Sequence, residues 1–257
     1  MTENQHTQSV VTAAILIIGD EILSGRTQDV NLNHIAKSLN QLGVQVKQAR
    51  VLPDEQSVIV DAVNYCRTHF NYVFTTGGIG PTHDDITADC IAAAFGVELS
   101  LHPEIVKIIE RRPAPPDIMA SRMRMARIPE GARLIENSTG GPPGFQIENV
   151  FVMAGIPSIM QAMMASLDHQ RIIGGRVMAS TSLGVYTSES EIARPLAEID
   201  QRFDAVSIGS YPFRDERGYG TTLVMRSTES SALAEATEAV RELILALGHT
   251  PIEHDRK

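Results

Sequence analysis

Apolar and polar positions along the chain alternate between two periods. Ala13 to Ile18 is a continuous apolar run rich in β-branched residues that ends at Gly19-Asp20-Glu21, the pattern of a strand buried on both faces. Leu32, Ile35, Ala36, Leu39 and Leu42 then recur at helical spacing, with Thr27 or Asp29 placed to cap the start and Gly43 to end it. A strand from Val44 to Val51 closes at Pro53-Asp54. Val58, Ile59, Ala62, Val63 and Cys66 mark a second helix, Tyr72 to Phe74 a third strand, and a glycine-rich loop opens a third helix carrying Ile86, Cys90, Ala93 and Ala94. Strands alternating with helices predict parallel βαβ units, and so an α/β fold with a doubly wound, mostly parallel sheet.

After Gly96 the period is less regular. Pro103 to Arg112 reads as helix, Pro113-Ala114-Pro115-Pro116 as a break, and Asp117 to Arg127 as helix again, an excursion placed to cover a site. A second glycine-rich loop, Asn137 to Phe145, precedes a strand from Val150 to Met153 and a turn at Gly155-Ile156-Pro157. From Arg176 the order becomes strand (Val177 to Val185), helix (Glu189 to Asp200), strand (Ala205 to Ser210), strand (Thr221 to Arg226) and helix (Ala232 to Leu247). This predicts an α/β domain over residues 1–175 and a smaller α+β domain over 176–257. Met160, Met163 and Met164 read as core or subunit-interface filler.

Composition narrows the partners. Of 257 residues 43% are hydrophobic, enough for a packed core, and the net charge of −9 argues against binding a polyanion. Cys66 and Cys90, the only cysteines, fall in apolar helical patterns and read as buried reduced thiols. Met1 to Ser9 is polar, and the run from Val10 to Ile18 lacks a basic leader and is too short to span a bilayer. The expectation is a cytoplasmic protein whose partner is a small molecule, with no nucleic acid and no membrane.

The chemistry collects where such a sheet binds ligands, beyond the carboxyl ends of its strands. The stretch Thr76-Gly77-Gly78-Ile79-Gly80-Pro81-Thr82-His83-Asp84-Asp85 follows the third strand, and its glycines let backbone N–H groups approach an anion at a helix start. Asp84 and Asp85 would repel a bare phosphate, so either a divalent cation stands between or one of them meets another part of the ligand. Both also suit the N-terminus of the next helix, a role that needs no ligand. Gly19, Asp20, Glu21 and Ser24 follow the first strand, and Pro53-Asp54 the second. Gly140, Gly141 and Gly144 belong to the second glycine loop. The candidate ligand-binding set is therefore Gly19, Asp20, Glu21, Ser24, Thr76, Gly77, Gly78, Gly80, Thr82, Gly140, Gly141 and Gly144. His83 reads as an exposed or hydrogen-bonded histidine, and Arg122, Arg124 and Arg127 as a solvated basic face that a lid helix would otherwise bring to phosphates.

Gly19-Asp20-Glu21-Ile22-Leu23-Ser24-Gly25, the Thr76 to Thr87 stretch and Asn137 to Phe145 resemble, in order, the three signatures of the N-terminal part of the CinA (competence/damage-inducible) family. That part belongs to the superfamily of molybdopterin-binding domains, and the region after Arg176 resembles the small domain that follows it. The resemblance implies a phosphate-bearing ligand at the glycine loops and functional roles for the aspartates aligning with Asp54 and Asp85. It also implies a metal-dependent pyrophosphatase acting on ADP-ribose-like nucleotides, and a homo-oligomer. Asp20, Asp54, Asp84 and Asp85 would then supply hard oxygen ligands to Mg²⁺, Mn²⁺ or Co²⁺. The alternative is a molybdopterin-binding protein linked to molybdenum-cofactor biosynthesis, or a binding module without catalysis. The chain ends at Lys257, so the amidase domain that follows in CinA-type members is not expected. Where many relatives carry Leu-Pro-Gly-Val-Pro-x-Glu-Met, this chain reads Met153-Ala154-Gly155-Ile156-Pro157-Ser158-Ile159-Met160, without the first proline and the glutamate.

Overall fold

The structure is a computed structural model that describes residues 10–167 and 170–253. The polar opening Met1 to Ser9 lies outside the described residues. The chain divides into two compact units, Met1–Gly175 and Arg176–Lys257.

In the first unit β1 (Val11–Ile18), the short helix α1 (Asp20–Leu23), α2 (Asn31–Gln41), β2 (Val44–Leu52), α3 (Gln56–His69), β3 (Tyr72–Thr76) and α4 (Thr87–Phe95) follow one another. Of the two candidate caps of α2, Asp29 fills the role: its carboxylate accepts the N–H groups of Asn31 and Leu32 at 3.3 and 3.0 Å. An excursion comes next, comprising β4 (Leu99–Leu101), α5 (Pro103–Glu110), α6 (Pro116–Met123), a 3₁₀ turn (Arg124–Ala126) and β5 (Arg127–Pro129). Then come β6 (Arg133–Ile135), β7 (Gly144–Ile147), β8 (Val150–Met153) and α7 (Pro157–Ala165).

The six-stranded sheet runs β2-β1-β3-β8-β7-β6. Its first four strands are mutually parallel, and β7 and β6 add an antiparallel edge. The fold is α/β with a mostly parallel sheet. Parallel pairing carries Ile18, Leu52, Thr76 and Met153 to the same edge, so the loops that follow these residues emerge together. Along β1 the apolar run splits between the faces. Ala14, Leu16 and Ile18 pack on Ile59, Val63 and Cys66 of α3 and on Cys90 and Ile91 of α4. Ala13, Ile15 and Ile17 join Ile35 and Leu39 of α2 and Met160, Met163 and Met164 of α7 on the other side. Burying each such aliphatic side chain stabilises by about 1.5–3 kcal/mol relative to exposure. At the sheet centre Phe74 stacks on Phe151 with ring centroids 4.8 Å apart.

Helical spacing alone carries a helix through to Arg127, but α6 stops at Met123. Pro129 disfavours helical backbone at Ile128, and Arg127–Pro129 instead pairs antiparallel with Leu99–Leu101.

In the second unit β9 (Ala179–Val185), α8 (Glu189–Asp200), β10 (Ser207–Asp215), β11 (Gly218–Ser227), α9 (Ser230–Ala246) and β12 (Ile252–Glu253) form an antiparallel sheet of order β10-β11-β9-β12, with both helices packed on it. β10 and β11 run longer than the sequence pattern marks. Pro212 lies on the edge strand β10, where a missing N–H is tolerated. Among the described residues no helix is long and apolar enough to cross a membrane.

Candidate functional site

The glycine loop leaves β3 in a conformation that only its glycines permit. Gly77 has φ +106°, and a Cβ there would stand 2.0 Å from the carbonyl oxygen of Ile18; one on Gly78 would stand 2.2 Å from Thr87 Oγ1. Two contacts from the first residue of α4 hold the loop. Thr87 Oγ1 donates to the Gly77 carbonyl at 2.9 Å, and Thr87 N–H donates to the Gly78 carbonyl at 2.9 Å. Thr87 is wholly buried and anchors the cradle rather than facing a ligand.

Asp85 turns back over the loop. Its Oδ2 accepts the N–H of Thr82 at 2.8 Å and the Thr82 hydroxyl at 2.5 Å, and the missing side chain of Gly80 leaves room for that carboxylate. Asp84 and His83 are exposed. The Asp84 carboxyl sits below the ordinary range, first through the Thr82 hydroxyl, then through its own N–H, with help from His83 and Arg124. The two carboxylates share the one hydroxyl proton of Thr82, with the short contact at Asp85.

The other carboxylates gather around Asp54. The N–H of Asp20 donates to Asp54 Oδ2 at 3.0 Å, and the Asp54 N–H reaches Asp20 Oδ1 at 3.4 Å. Burial raises the Asp54 pKa above its ordinary 3.8; the Asp20 N–H opposes this, and the charges of Asp20, Glu21 and Asp84 add to it. Glu21 folds its carboxylate back over Gly19, where a Cβ would stand 2.5 Å from Glu21 Oε2. Among the described residues no three His, Cys, Asp or Glu side chains stand together as a metal-holding group.

A cavity of about 390 Å³ opens between the loops. Its wall takes Gly77, Gly78, Gly80 and Asp85 from the first glycine loop, Asn137 and Gly141 from the second, Gly155 from the turn after β8, and Glu21. Of the residues singled out from sequence, Glu21, Gly77, Gly78, Gly80, Gly141 and Asp85 meet at this wall. Asp20, Asp54 and Asp84 do not line it; the charges of Asp20, Asp84 and the wall residue Glu21 bear on Asp54. Gly19 donates to the Leu52 carbonyl at 3.1 Å, Ser24 donates to the Glu21 carbonyl at 3.3 Å, and Gly140 faces open space. Gly144 opens β7, where a Cβ would collide with the Val152 carbonyl oxygen at 2.4 Å, so close strand packing accounts for this glycine. Thr82 serves Asp85, and Thr76 is buried behind the wall.

Sequence reasoning assigned no role to Asn137 or Asn31 and placed the basic face of Arg124 and Arg127 in solvent. Asn137 shapes the second loop: its Oδ1 accepts from Thr139 N and Oγ1, and its Nδ2 donates to the Pro142 carbonyl. An Asx turn ahead of paired glycines was the available signal. Asn31 is 4% exposed at the start of α2, where a polar residue reads as part of a helix start and periodicity gives no hint. Arg124 packs half-buried on the loop and donates to the Asp85 carbonyl at 3.3 Å, and Arg127 pairs with Asp89 at 2.5 Å. The basic face therefore lies partly against the site rather than wholly in solvent.

A profile of the family described as "Probable molybdopterin binding domain" matches residues 14–172. The chain belongs to this family. Residues 177–248, within the second unit, match the "FAD synthase, middle domain". A "CinA-like protein" of Citrifermentans bemidjiense is 38% identical over 157 residues, covering 59% of this chain and 38% of that protein. A "Probable FAD synthase" of Caenorhabditis briggsae is 30% identical across 93% of this chain, which spans about half of that relative's length (50%). Among solved structures, a Thermoplasma acidophilum CinA described as of unknown function superposes with a TM-score of 0.58 at 29% identity, over 64% of this chain and 100% of that one. The molybdopterin-binding family and the CinA likeness thus agree with the three signatures read from sequence.

Proposed function

We propose that the first unit binds a phosphate-bearing small molecule with a fused heterocycle, of the molybdopterin or nucleotide type, in the cavity between its glycine loops. One observation carries this reading: loops far apart in sequence bring Gly77, Gly78, Gly141 and Gly155 to one wall with Asp85 beside them. Bare backbone next to the start of α4 suits a phosphate. A cavity of about 390 Å³ falls in the range usual for small-molecule sites. Membership of the molybdopterin-binding family supports a pterin, and the relative named for FAD synthesis, which aligns across both units, supports a nucleotide.

A second reading, hydrolysis of an ADP-ribose-type pyrophosphate, is favoured by the acidic set Asp20, Glu21, Asp54 and Asp84. All these donors are carboxylate oxygens, the chemistry of a hard divalent cation, and Mg²⁺ is commonly held by one or two carboxylates plus substrate phosphate oxygens. Asp20 and Asp54 are the pair that fits. Such a cation, when bound, neutralises phosphate charge and so lowers the barrier to attack. In the overall reaction a water oxygen bonds to one phosphorus, the P–O–P bridge breaks, the departing phosphate keeps the electron pair, and ADP-ribose yields AMP and ribose 5-phosphate. Glu21, on the cavity wall and close enough to act on Asp54, links the acids to the cradle.

Calorimetric titration with inorganic pyrophosphate and ADP-ribose, with and without Mg²⁺, Mn²⁺ or Co²⁺, tests both readings when AMP release is followed in parallel with Asp85→Asn and Asp54→Asn. Saturable binding that Asp85→Asn changes, tightening metal-free pyrophosphate by removing a like charge from the cavity wall, supports the site. AMP release that requires metal and is lost in Asp54→Asn, which removes one of the two carboxylates that would hold the cation, supports hydrolysis. Binding without release with any metal leaves the binding reading alone, and no binding of either compound ends both.

A further inference from the structure

Ile156 breaks two local rules at once. It holds the N-cap position of α7, where an oxygen-bearing side chain would accept a free backbone N–H of the first turn, and it makes no such bond. It is also 59% exposed, large and wholly apolar. Helix capping and contact with water both ask for a polar residue here. A lone exposed isoleucine calls for no explanation, but this one continues a surface. Ile159 follows one turn later, and both lie in the wall of the cavity of about 390 Å³.

That cavity has two kinds of wall. One is bare backbone, at Gly77, Gly78 and Gly80. Only Glu21, Asp85 and Asn137 bring polar side-chain atoms to the lining, and of these Asp85 accepts from Thr82 while Asn137 is engaged with Thr139 and Pro142. The remaining lining side chains are apolar: Ile79 follows β3, Met125 comes from the 3₁₀ turn, and Ile156 and Ile159 belong to the start of α7. A phosphate suits the backbone wall and gains nothing from the apolar one. An uncharged flat ring laid on Ile156 and Ile159 removes water from its own face and from theirs.

We propose that Ile156 and Ile159 form the ring subsite of this cavity, with the ligand's heterocycle lying over the start of α7 and its phosphate at the glycine backbone of residues 77–80. This rests on the binding reading above and assigns each half of the ligand to one wall. A purine and a pterin share this chemistry, and the test separates these sources.

Calorimetry on the whole chain compares AMP with ribose 5-phosphate, which lacks the base, and a pterin alkyl phosphate with the alkyl phosphate alone. Inorganic pyrophosphate reports the phosphate cradle by itself. The expected result is about tenfold tighter binding of the ring-bearing member of one pair, the size of covering one exposed aliphatic side chain, with a more negative heat-capacity change. The pair that shows it identifies the ring. Ile156→Ser supplies the hydroxyl cap that α7 lacks, so the variant keeps its fold, while its ring preference should fall severalfold. Ile156→Leu keeps an apolar surface and should keep the preference. Ile159→Ser, where it folds, should lower it as well. Pyrophosphate binding with no ring preference in either pair overturns this inference and leaves the binding reading standing. A preference unchanged in Ile156→Ser also overturns it, because the ring then lies elsewhere. Failure of pyrophosphate and of every ring ligand to bind ends both readings.

Discussion

Asp20 and Asp54 clasp the loops after β1 and β2 to each other, each backbone N–H donating to the other's carboxylate, at 3.0 Å and 3.4 Å. Two acidic residues are thus drawn together by main-chain donors, while their charges, with those of Glu21 and Asp84, oppose the arrangement. Burial is the larger cause of the raised Asp54 pKa, and these charges add to it.

Asp54→Asn keeps an oxygen to accept the Asp20 N–H and removes the charge. A carboxyl whose pKa is raised in the folded state binds its proton before the unfolded chain does. Stability therefore falls as pH rises from 3.8, the ordinary value, through the folded pKa. The variant lacks this penalty. Its melting midpoint at pH 7 is expected to lie above the parent's, with the difference shrinking as pH approaches 3.8. Scanning fluorimetry at both pH values checks this; a midpoint below the parent at pH 7 would show that the clasp needs the negative charge.

Gly77 and Gly140 both have positive φ, at +106° and +80°, but only Gly77 has backbone in the way of a side chain. Gly140→Ala meets open space and is expected to cost about 1 kcal/mol for its left-handed backbone. Gly77→Ala adds a collision with the Ile18 carbonyl and is expected to cost about 2–4 kcal/mol. Denaturant titration of the two variants gives the comparison, and equal losses would mean that the loop after β3 relaxes around the new methyl group.

The parallel half of the first unit was legible because the runs ending at Ile18 and Thr76 are largely buried, the edge strand ending at Leu52 is bounded by Gly43 and Pro53, and the loops after all three carry the polar residues. The pattern after Gly96 was not. Three-residue strands such as Leu99–Leu101 and Arg127–Pro129 are too short for a period of two to register, and their pairing spans the whole excursion. The site divides in the same way. Gly77, Gly78 and Asp85 announce themselves as a local motif. The role of Gly144 depends on how closely β8 passes, and that of Asn31 on Thr76 and Gly155, 45 and 124 residues away. Contacts between distant segments leave no local pattern to read.

Cys66 and Cys90 are free and buried among apolar side chains. Burial pushes the Cys90 thiol up to about 12, with the charges of Asp89 and Asp54 adding to it, and burial likewise raises Cys66. At pH 8 about one Cys90 in ten thousand carries the thiolate that reacts. A thiol-specific chromogenic reagent is expected to label neither cysteine in the native protein and both in denaturant. Rapid labelling of one thiol under native conditions would mean that α3 or α4 opens readily.

Tyr186 donates its hydroxyl to Asp215 Oδ2 at 2.5 Å in the second unit, with the Arg217 guanidinium 4.9 Å from the ring centroid. The hydrogen bond is the first cause of both shifts: it holds the Tyr186 pKa above 10.0 and the Asp215 pKa below 3.8. The pair therefore persists across neutral pH. It is lost in alkali when the phenol ionises against the carboxylate, and in acid when Asp215 is protonated. Asp215→Asn removes the charged acceptor and leaves Arg217 near the ring, so the Tyr186 phenol should ionise at lower pH than in the parent. The chain has five tyrosines, so the difference between parent and variant absorbance titrations at 295 nm isolates this one. An unchanged alkaline titration would show that the β10–β11 hairpin does not hold Tyr186 against Asp215 in solution.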